Sequence, residues 1–265
     1  MRMLASMHYP EVEEAAKDPN SVVFLPTGTT EEHGPHLPLD TDCITAFEIT
    51  TRVAKVLEQY DYKCIIAPTI PYGVTLVGRP WAGTLGLEPE TMERVLVDIC
   101  NSLAYHGFKK VVIVNPHGEK AHIIAINRAL DVLRNDPTLE VFLLGYDLDY
   151  HDPTTLRGAE EVLRCDRPEL DGHAGEAETS LVLLRRPEGV DKELISKLPP
   201  VYINTREHWI KGAKTFKDIP GGELGYFGAP SFARPETGEK VYEIRSRRHA
   251  EKLLSRLAKI REKKP

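Results

Sequence analysis

Groups that bind metal ions or transfer protons are concentrated in one short segment near the start of the chain, residues 30–42. Carboxylates and imidazoles supply the hard oxygen and borderline nitrogen ligands that divalent metal ions take. A solvated cluster of charges would explain the acids, but not two histidines and two prolines in the same loop. The apolar stretch 22–25 comes just before and would hold the loop on a rigid strand. We therefore predict a hydrolytic metal site in this segment.

Two further polar clusters lie later in the chain. Residues 115–119 follow the apolar run 111–114, and residues 172–180 precede an apolar helical segment. If the strands before the first two clusters are neighbours in a parallel sheet, those clusters meet at the same edge. Together they offer these candidate ligands: Glu31, His33, Asp42, His117 and Glu119. Such a set can hold two divalent ions if one carboxylate bridges them.

The elements that must position these residues are visible as alternating patterns. Four apolar runs predict strands, at 22–25, 64–67, 111–114 and 141–144. Apolar stripes at helical spacing separate them, and the second stripe begins after Pro89. Strands that read as continuous apolar runs and alternate with helices are typical of buried parallel sheets. We predict an α/β fold, a three-layer α/β/α sandwich with a mostly parallel sheet.

Composition limits the classes of function. The chain has 265 residues and a formal net charge of −6, which gives no basic footprint for nucleic acid. Its apolar runs are too short to span a bilayer, the N-terminus has no signal-peptide pattern, and its four cysteines are scattered. We expect a cytoplasmic protein of one domain, 1–265. It has a loop-rich segment, 192–236, and a C-terminal helix from Gly238 onward.

Three ordered motifs carry a resemblance to a known family. Residues 31–42 resemble the creatininase signature E-Q-H-G-P-H-L-P-x-x-T-D, with Glu32 in place of the usual glutamine. Residues 115–117 are similar to its N-G-H loop, with Pro116 replacing glycine, and residues 173–180 match its H-A-G-x-x-E-T-S segment. The chain is accordingly identified as a member of the creatininase family, over roughly residues 15 to 240.

The resemblance implies a site with two divalent metal ions, zinc, manganese or iron. Glu31 and His117 would hold one ion, His33 the other, and Asp42 would bridge them. Two carboxylates could complete the second ion, Glu119 as in creatininase itself or Glu178 as in relatives that lack it. Both are present here, and we slightly favour Glu119.

The resemblance also implies the chemistry. A water shared by two divalent ions can attack a carbonyl carbon, and His173 matches the family's catalytic histidine, the general acid/base. The expected activity is hydrolysis of an amide or other carbonyl in a small, polar, cyclic substrate. Glu169 stands where creatininase places a tryptophan, so opening of a keto-inositol ring at a C–C bond is the alternative activity. A metal-binding protein without turnover is the alternative from another class. Family members form rings, often hexamers, so a homo-oligomer is expected.

Several other residues have more than one interpretation. His36 could orient a ligand, contact substrate or pack the loop, and the first role is favoured because ligand carboxylates need partners. His122 is expected on a helix surface. The acidic segment 147–152 could line the pocket or form a plain loop. Trp81 and Trp209 are expected to pack loops, although either could cover the substrate.

Overall fold

The computed structural model describes residues 1–148 and 159–263. Its centre is a sheet of five parallel strands in the order β1-β3-β2-β4-β5. The strands are β1 (Arg2–Met3), β2 (Ser21–Pro26), β3 (Lys63–Ile66), β4 (Lys110–Asn115) and β5 (Glu140–Gly145). All four predicted strands are confirmed. The two-residue edge strand β1 was not predicted, because two residues are too few to show a period.

Helices connect and flank these strands. The longer helices are α1 (Tyr9–Lys17), α2 (Thr41–Glu58), α3 (Pro89–Tyr105), α4 (Lys120–Leu133), α5 (Glu176–Arg185) and α8 (Pro235–Lys263). Two short helices, α6 (Lys192–Ile195) and α7 (Thr205–Ile210), and two 3₁₀ turns interrupt the predicted loop-rich segment. No helix in the described part of the chain is long and apolar enough to cross a membrane.

The sheet divides the core into two layers. Val22 and Phe24 of β2 face one layer, built with α2, α5 and α8, while Val23 and Leu25 face the other, built with α3 and α4. Successive side chains of a strand point to opposite faces, so a strand buried on both sides reads as a continuous apolar run. The three-layer α/β/α architecture is confirmed.

Helix starts follow the local sequence chemistry. Proline occupies the first turn of α3, at Pro89, where its missing N–H is not needed and its fixed φ suits a helix. The last helix begins at Pro235, three residues before the predicted start. Gly238 in its first turn packs against Ser180 and Leu181 of α5 so closely that a β-carbon there would collide with their backbone.

The strand order places the predicted metal loops side by side. β2 pairs with β4 in register, with Pro26 opposite Val114. The segment after β2 and the segment after β4 therefore leave the sheet at the same carboxyl edge, as ligand sites in open α/β sheets do.

Candidate metal centre

The loop between β2 and α2 brings its own two ends together. Its first residue is tied to the neighbouring strand by the bond from the Thr27 N–H to the Val114 carbonyl, 2.9 Å long. Further on, the Glu31 N–H donates to the Leu39 carbonyl, also at 2.9 Å. Asp42 lies in the first turn of α2. Because these bonds close the loop, the side chains of Glu31 and Asp42 face the same space.

Glu31, Asp42 and His117 form one group of converging ligand atoms. The His117 Nδ1 atom lies 3.2 Å from Glu31 Oε2 and 3.1 Å from Asp42 Oδ2. All three residues are buried, and one ligand atom from each lies within 4.8 Å of the others. Two carboxylates and one imidazole at this spacing are a donor set that suits a divalent cation.

A second group shares the same aspartate. The His33 Nε2 atom lies 3.7 Å from Asp42 Oδ1 and 3.9 Å from Glu178 Oε2. Asp42 therefore turns one oxygen toward each group, Oδ2 toward His117 and Oδ1 toward His33. This is the geometry that a carboxylate bridging two cations requires.

Backbone carbonyls fix which nitrogen of each histidine faces the carboxylates. His117 Nε2 donates to the Val74 carbonyl at 3.0 Å, and His33 Nδ1 donates to the Glu31 carbonyl at 3.1 Å. A carbonyl oxygen can only accept, so these nitrogens carry the protons. The lone pairs of His117 Nδ1 and His33 Nε2 are left for the site. Such an outer bond on the opposite nitrogen is typical of histidines that bind metal.

The electrostatics of the site favour positive charge. Burial opposes protonation of both histidines, but the facing carboxylates outweigh it: the pKa of His117 is raised well above its ordinary value by Glu31 and Asp42. Asp42 and Glu178 likewise raise the pKa of His33 to about 10. Burial raises the pKa of Glu31, yet the histidines outweigh burial and bring it to about 2. The buried carboxylates therefore favour positive charge in this space, which bound cations would supply.

A carboxylate oxygen of the first group is buried without a hydrogen-bond donor. Glu31 is fully buried, and its Oε1 atom has no hydrogen-bond partner. Gly78 passes so close that a β-carbon there would lie 3.1 Å from this oxygen. The Thr29 hydroxyl orients the neighbouring acid by donating to Asp42 Oδ2. Because unpaired buried carboxylate oxygens are costly, these residues fit a bound cation, and the donor set fits two divalent ions.

The Glu119 carboxylate, which the sequence slightly favours as a ligand, is hydrogen-bonded to a neighbouring segment. Its Oε2 atom accepts hydrogen bonds from the backbone N–H groups of Leu76, at 2.8 Å, and Val77, at 3.2 Å. Among the described residues, the groups of converging ligand atoms include Glu178 and do not include Glu119. Glu178 is therefore the carboxylate that the structure brings into one group with His33 and Asp42.

His173 lies against the second group. Its ring is 4.3 Å from the His33 ring between centroids, and it also forms a possible ligand group with Glu31 and His33. It is carried by the turn before α5, where the next residue, Ala174, has a left-handed φ of 52°. Glu178 holds that turn by accepting from the Ala174 N–H at 2.7 Å. Burial and His33 lower the pKa of His173, but Glu32 and Glu31 outweigh them and raise it.

Two further histidines lie near this centre, and one of them is not where the sequence predicts. His36 is buried, and its Nε2 atom lies 2.8 Å from the Thr179 hydroxyl, so it joins the first loop to α5. The expectation that His122 lies on a helix surface is wrong, since it is fully buried and its Nδ1 atom accepts from the Val74 N–H. Val74 thus joins His122 to His117. A signal existed, because His122 lies on the same helical face as Ile126.

The remaining candidates fall around the site or outside it. Trp81 and Trp209 pack against Phe216, whose ring lies on His173. Glu169, the basis for expecting a polar pocket, is exposed and pairs with Arg167. Of the acidic segment 147–152, residues 149–152 lie outside the described part of the chain. Thr29, Glu32 and Phe216, which sequence reasoning did not select, all contact candidate site residues.

Comparison with known proteins shows which family and which individual proteins this chain resembles. A creatininase family model, described as creatinine amidohydrolase, matches residues 5–253. A mycofactocin precursor peptide peptidase from Mycolicibacterium smegmatis is 29% identical over 227 residues, covering 83% of this chain and 79% of that protein. Creatinine amidohydrolase from Pseudomonas putida is 28% identical over 208 residues, 74% and 76% of the two chains. A crystal structure of creatininase superposes with a TM-score of 0.74 at 24% identity, over 95% and 96% of the chains.

Proposed function

Because this chain belongs to the creatininase family, we propose that it is a hydrolase of C–N bonds that depends on two divalent metal ions. Glu31, Asp42 and His117 would hold one ion, and His33, Glu178 and the shared Asp42 the other. The observation that carries the proposal is the orientation of Asp42, whose two oxygens face the two histidines separately. A single structural site would not need a carboxylate turned both ways.

Each protein group has a task in the proposed reaction. When bound, a pair of divalent ions polarises a carbonyl and supplies a nucleophilic water near neutral pH. The Thr29 hydroxyl keeps Asp42 in the bridging orientation, and the Val74 and Glu31 carbonyls keep the ligand nitrogens facing inward. His173, beside this centre and 14% exposed at its side chain, carries a proton to the departing nitrogen. Without that proton, an amine is a poor leaving group.

A substrate panel tests the proposal. Purified protein, loaded with zinc or manganese, is assayed against creatinine, other small cyclic amides, short linear peptides and a keto-inositol. We expect turnover of a C–N substrate that is lost in chelator and restored by added metal. The peptide arm is included because a similar protein is named a peptide peptidase. The keto-inositol arm tests the alternative activity predicted from sequence.

The matched control is Asp42→Ala, which removes the shared carboxylate and should bring both metal content and turnover to background. Turnover that persists in chelator, or protein that binds no divalent ion, would refute the proposal. Two bound ions with no turnover of any panel member would favour the metal-binding protein without catalysis.

A further inference from the structure

His173 is enclosed by groups from two distant parts of the chain. Its ring lies between the rings of His33, at 4.3 Å, and Phe216, at 4.6 Å, with tilts of 36° and 32°. Its Nε2 atom lies 2.8 Å from the Glu32 carbonyl oxygen and 3.6 Å from the Glu32 side-chain Oε1 atom. The plane of the imidazole and one of its nitrogens are therefore both restrained.

The contact with Glu32 decides where the proton sits on the neutral ring. The Glu32 carbonyl can only accept a hydrogen bond, so His173 Nε2 must carry a hydrogen. In the neutral imidazole, Nδ1 is then the nitrogen with a lone pair. The proton that His173 exchanges with a reacting molecule must pass through Nδ1.

The Glu32 side chain adds a fixed acceptor beside the same nitrogen. Glu32 is buried, and its Oε2 atom accepts from the Gly34 N–H at 2.9 Å. Its Oε1 atom has no hydrogen-bond partner, and His173 Nε2 is the donor nearby. The carboxylate cannot swing away easily, because the Gly225 backbone packs so closely that a β-carbon there would collide with it. This is also the position where the chain departs from the glutamine of the family signature.

Phe216 is itself firmly held. Its N–H donates to the Val77 carbonyl at 3.1 Å, which ties it to the segment that covers Glu31. Its ring packs against those of Trp209, at 5.7 Å, and Phe227, at 5.2 Å, as well as Trp81. Aromatic contacts at these distances stabilise a fixed relative orientation. Phe216 thus covers one face of His173 with a ring that has little freedom.

We propose that His173 transfers protons through Nδ1, and that Glu32 and Phe216 are the positioning residues that hold it in that state. The inference deepens the proposed function, on which the use of His173 in proton transfer rests. During hydrolysis, Nδ1 takes a proton from the attacking water as the C–O bond forms. It returns that proton to the nitrogen as the C–N bond breaks, so an acid and an amine leave. The Glu32 carboxylate stabilises the imidazolium between these two steps, as the acid of a catalytic triad does.

The tautomer is tested directly by nitrogen NMR of the zinc-loaded, ¹⁵N-histidine-labelled full chain, with His173→Ala used to assign the signals. We expect His173 to be protonated at Nε2 and unprotonated at Nδ1 when neutral. A His173 ring protonated mainly at Nδ1 overturns the proposal. This measurement needs no substrate, so its outcome is independent of whether the proposed C–N hydrolysis is correct.

Variants test the two positioning residues on the substrate that the panel identifies. Glu32→Gln keeps the size and removes the charge, and Phe216→Leu removes the stacked ring. Each should lower kcat by about tenfold, the effect of losing one stabilising contact in the transition state, with KM and metal content unchanged. The matched controls are Glu223→Gln, an exposed carboxylate two residues before Gly225, and Tyr60→Leu, an exposed aromatic residue after α2. Controls that lower kcat as much as the two variants would overturn the positioning role.

Discussion

At the scale of single residues, two glutamates compete for one role in the metal centre. Glu119 stands two residues after His117, where creatininase has its ligand, but its carboxylate accepts from two backbone amides. Glu178 is 145 residues from His33 along the chain, yet its Oε2 atom lies 3.9 Å from His33 Nε2. Position along the chain therefore does not decide which carboxylate can reach the second ion.

A pair of matched variants separates the two glutamates. Glu178→Gln should lose about one of the two bound ions, because the second group then keeps only His33 and the shared Asp42. Glu119→Gln should keep both, since its carbonyl oxygen can still accept from the Leu76 and Val77 amides. Elemental analysis after dialysis measures this. Loss of metal from Glu119→Gln with full occupancy in Glu178→Gln would reverse the assignment.

His173 is expected to act as a catalyst and not as a ligand, although it lies within ligand reach of Glu31 and His33. In our proposal, His173→Ala keeps both ions, and turnover falls by about 10²–10⁴, the usual contribution of general acid–base catalysis. Metal content and kcat on the same preparation check this. A variant that loses one ion would show that His173 is a ligand.

At the scale of elements, His173 lies in the turn before α5 and Glu178 in the first turn of that helix, and Asp171 organises both turns. The Asp171 carboxylate accepts from the N–H groups of Glu176, at 2.7 Å, and Ala177, at 2.9 Å, and from that of Ala229, at 3.2 Å. It therefore caps the first turn of α5 and joins it to the segment that leads into α8. Free helix N-terminal amides need such acceptors.

Removing this cap should weaken the whole edge of the site. Asp171→Ala leaves three backbone N–H groups without their acceptor, so the free energy of unfolding should fall by about 1–3 kcal/mol. Urea unfolding of the metal-free protein measures it without a contribution from bound ions. Glu169→Ala is the control, because this exposed acid pairs with the exposed Arg167 and should change stability by less than about 0.5 kcal/mol. Equal losses in both variants would contradict the capping role.

At the scale of the whole molecule, large apolar side chains remain at the surface. Tyr105 is 87% exposed, and Tyr9 and Ile210 are each 77% exposed. Gly107 at the end of α3 packs near Ala16 of α1, so Tyr105 and Tyr9 belong to neighbouring helices. Exposed apolar side chains mark an interface only where they form a contiguous patch, so a charge at Tyr105 tests whether this surface contacts another chain.

We therefore keep the expectation of a closed homo-oligomer, the common form of assembled soluble enzymes. Light scattering coupled to gel filtration should give the mass of an assembly of at least two chains. Tyr105→Glu, which places a charge on the exposed surface of α3, should weaken that assembly, whereas Lys55→Glu on α2 should not. A monomer at micromolar concentration would rule the expectation out.

The sequence by itself determined the four longer strands and their parallel direction, because side-chain periodicity follows from backbone geometry alone, but the meeting of the polar loops also needed the strand order. It also supplied Glu31, His33, Asp42 and His117, since their loops follow strands that proved to be neighbours. The tertiary structure decided the rest. For Glu119, two backbone amides of the 74–78 segment bind the carboxylate, a contact that the sequence does not show.

The same physical reason explains the other differences. The burial of His122 depends on Val74, and the restraint of His173 depends on Glu32 and Phe216, none of which is close to its partner in sequence. Periodicity indicates which face of a helix is buried, but it does not indicate which atom of another segment lies against that face. Hydrogen bonds and ring contacts act over a few ångströms, so only the packed chain brings these groups within reach of one another.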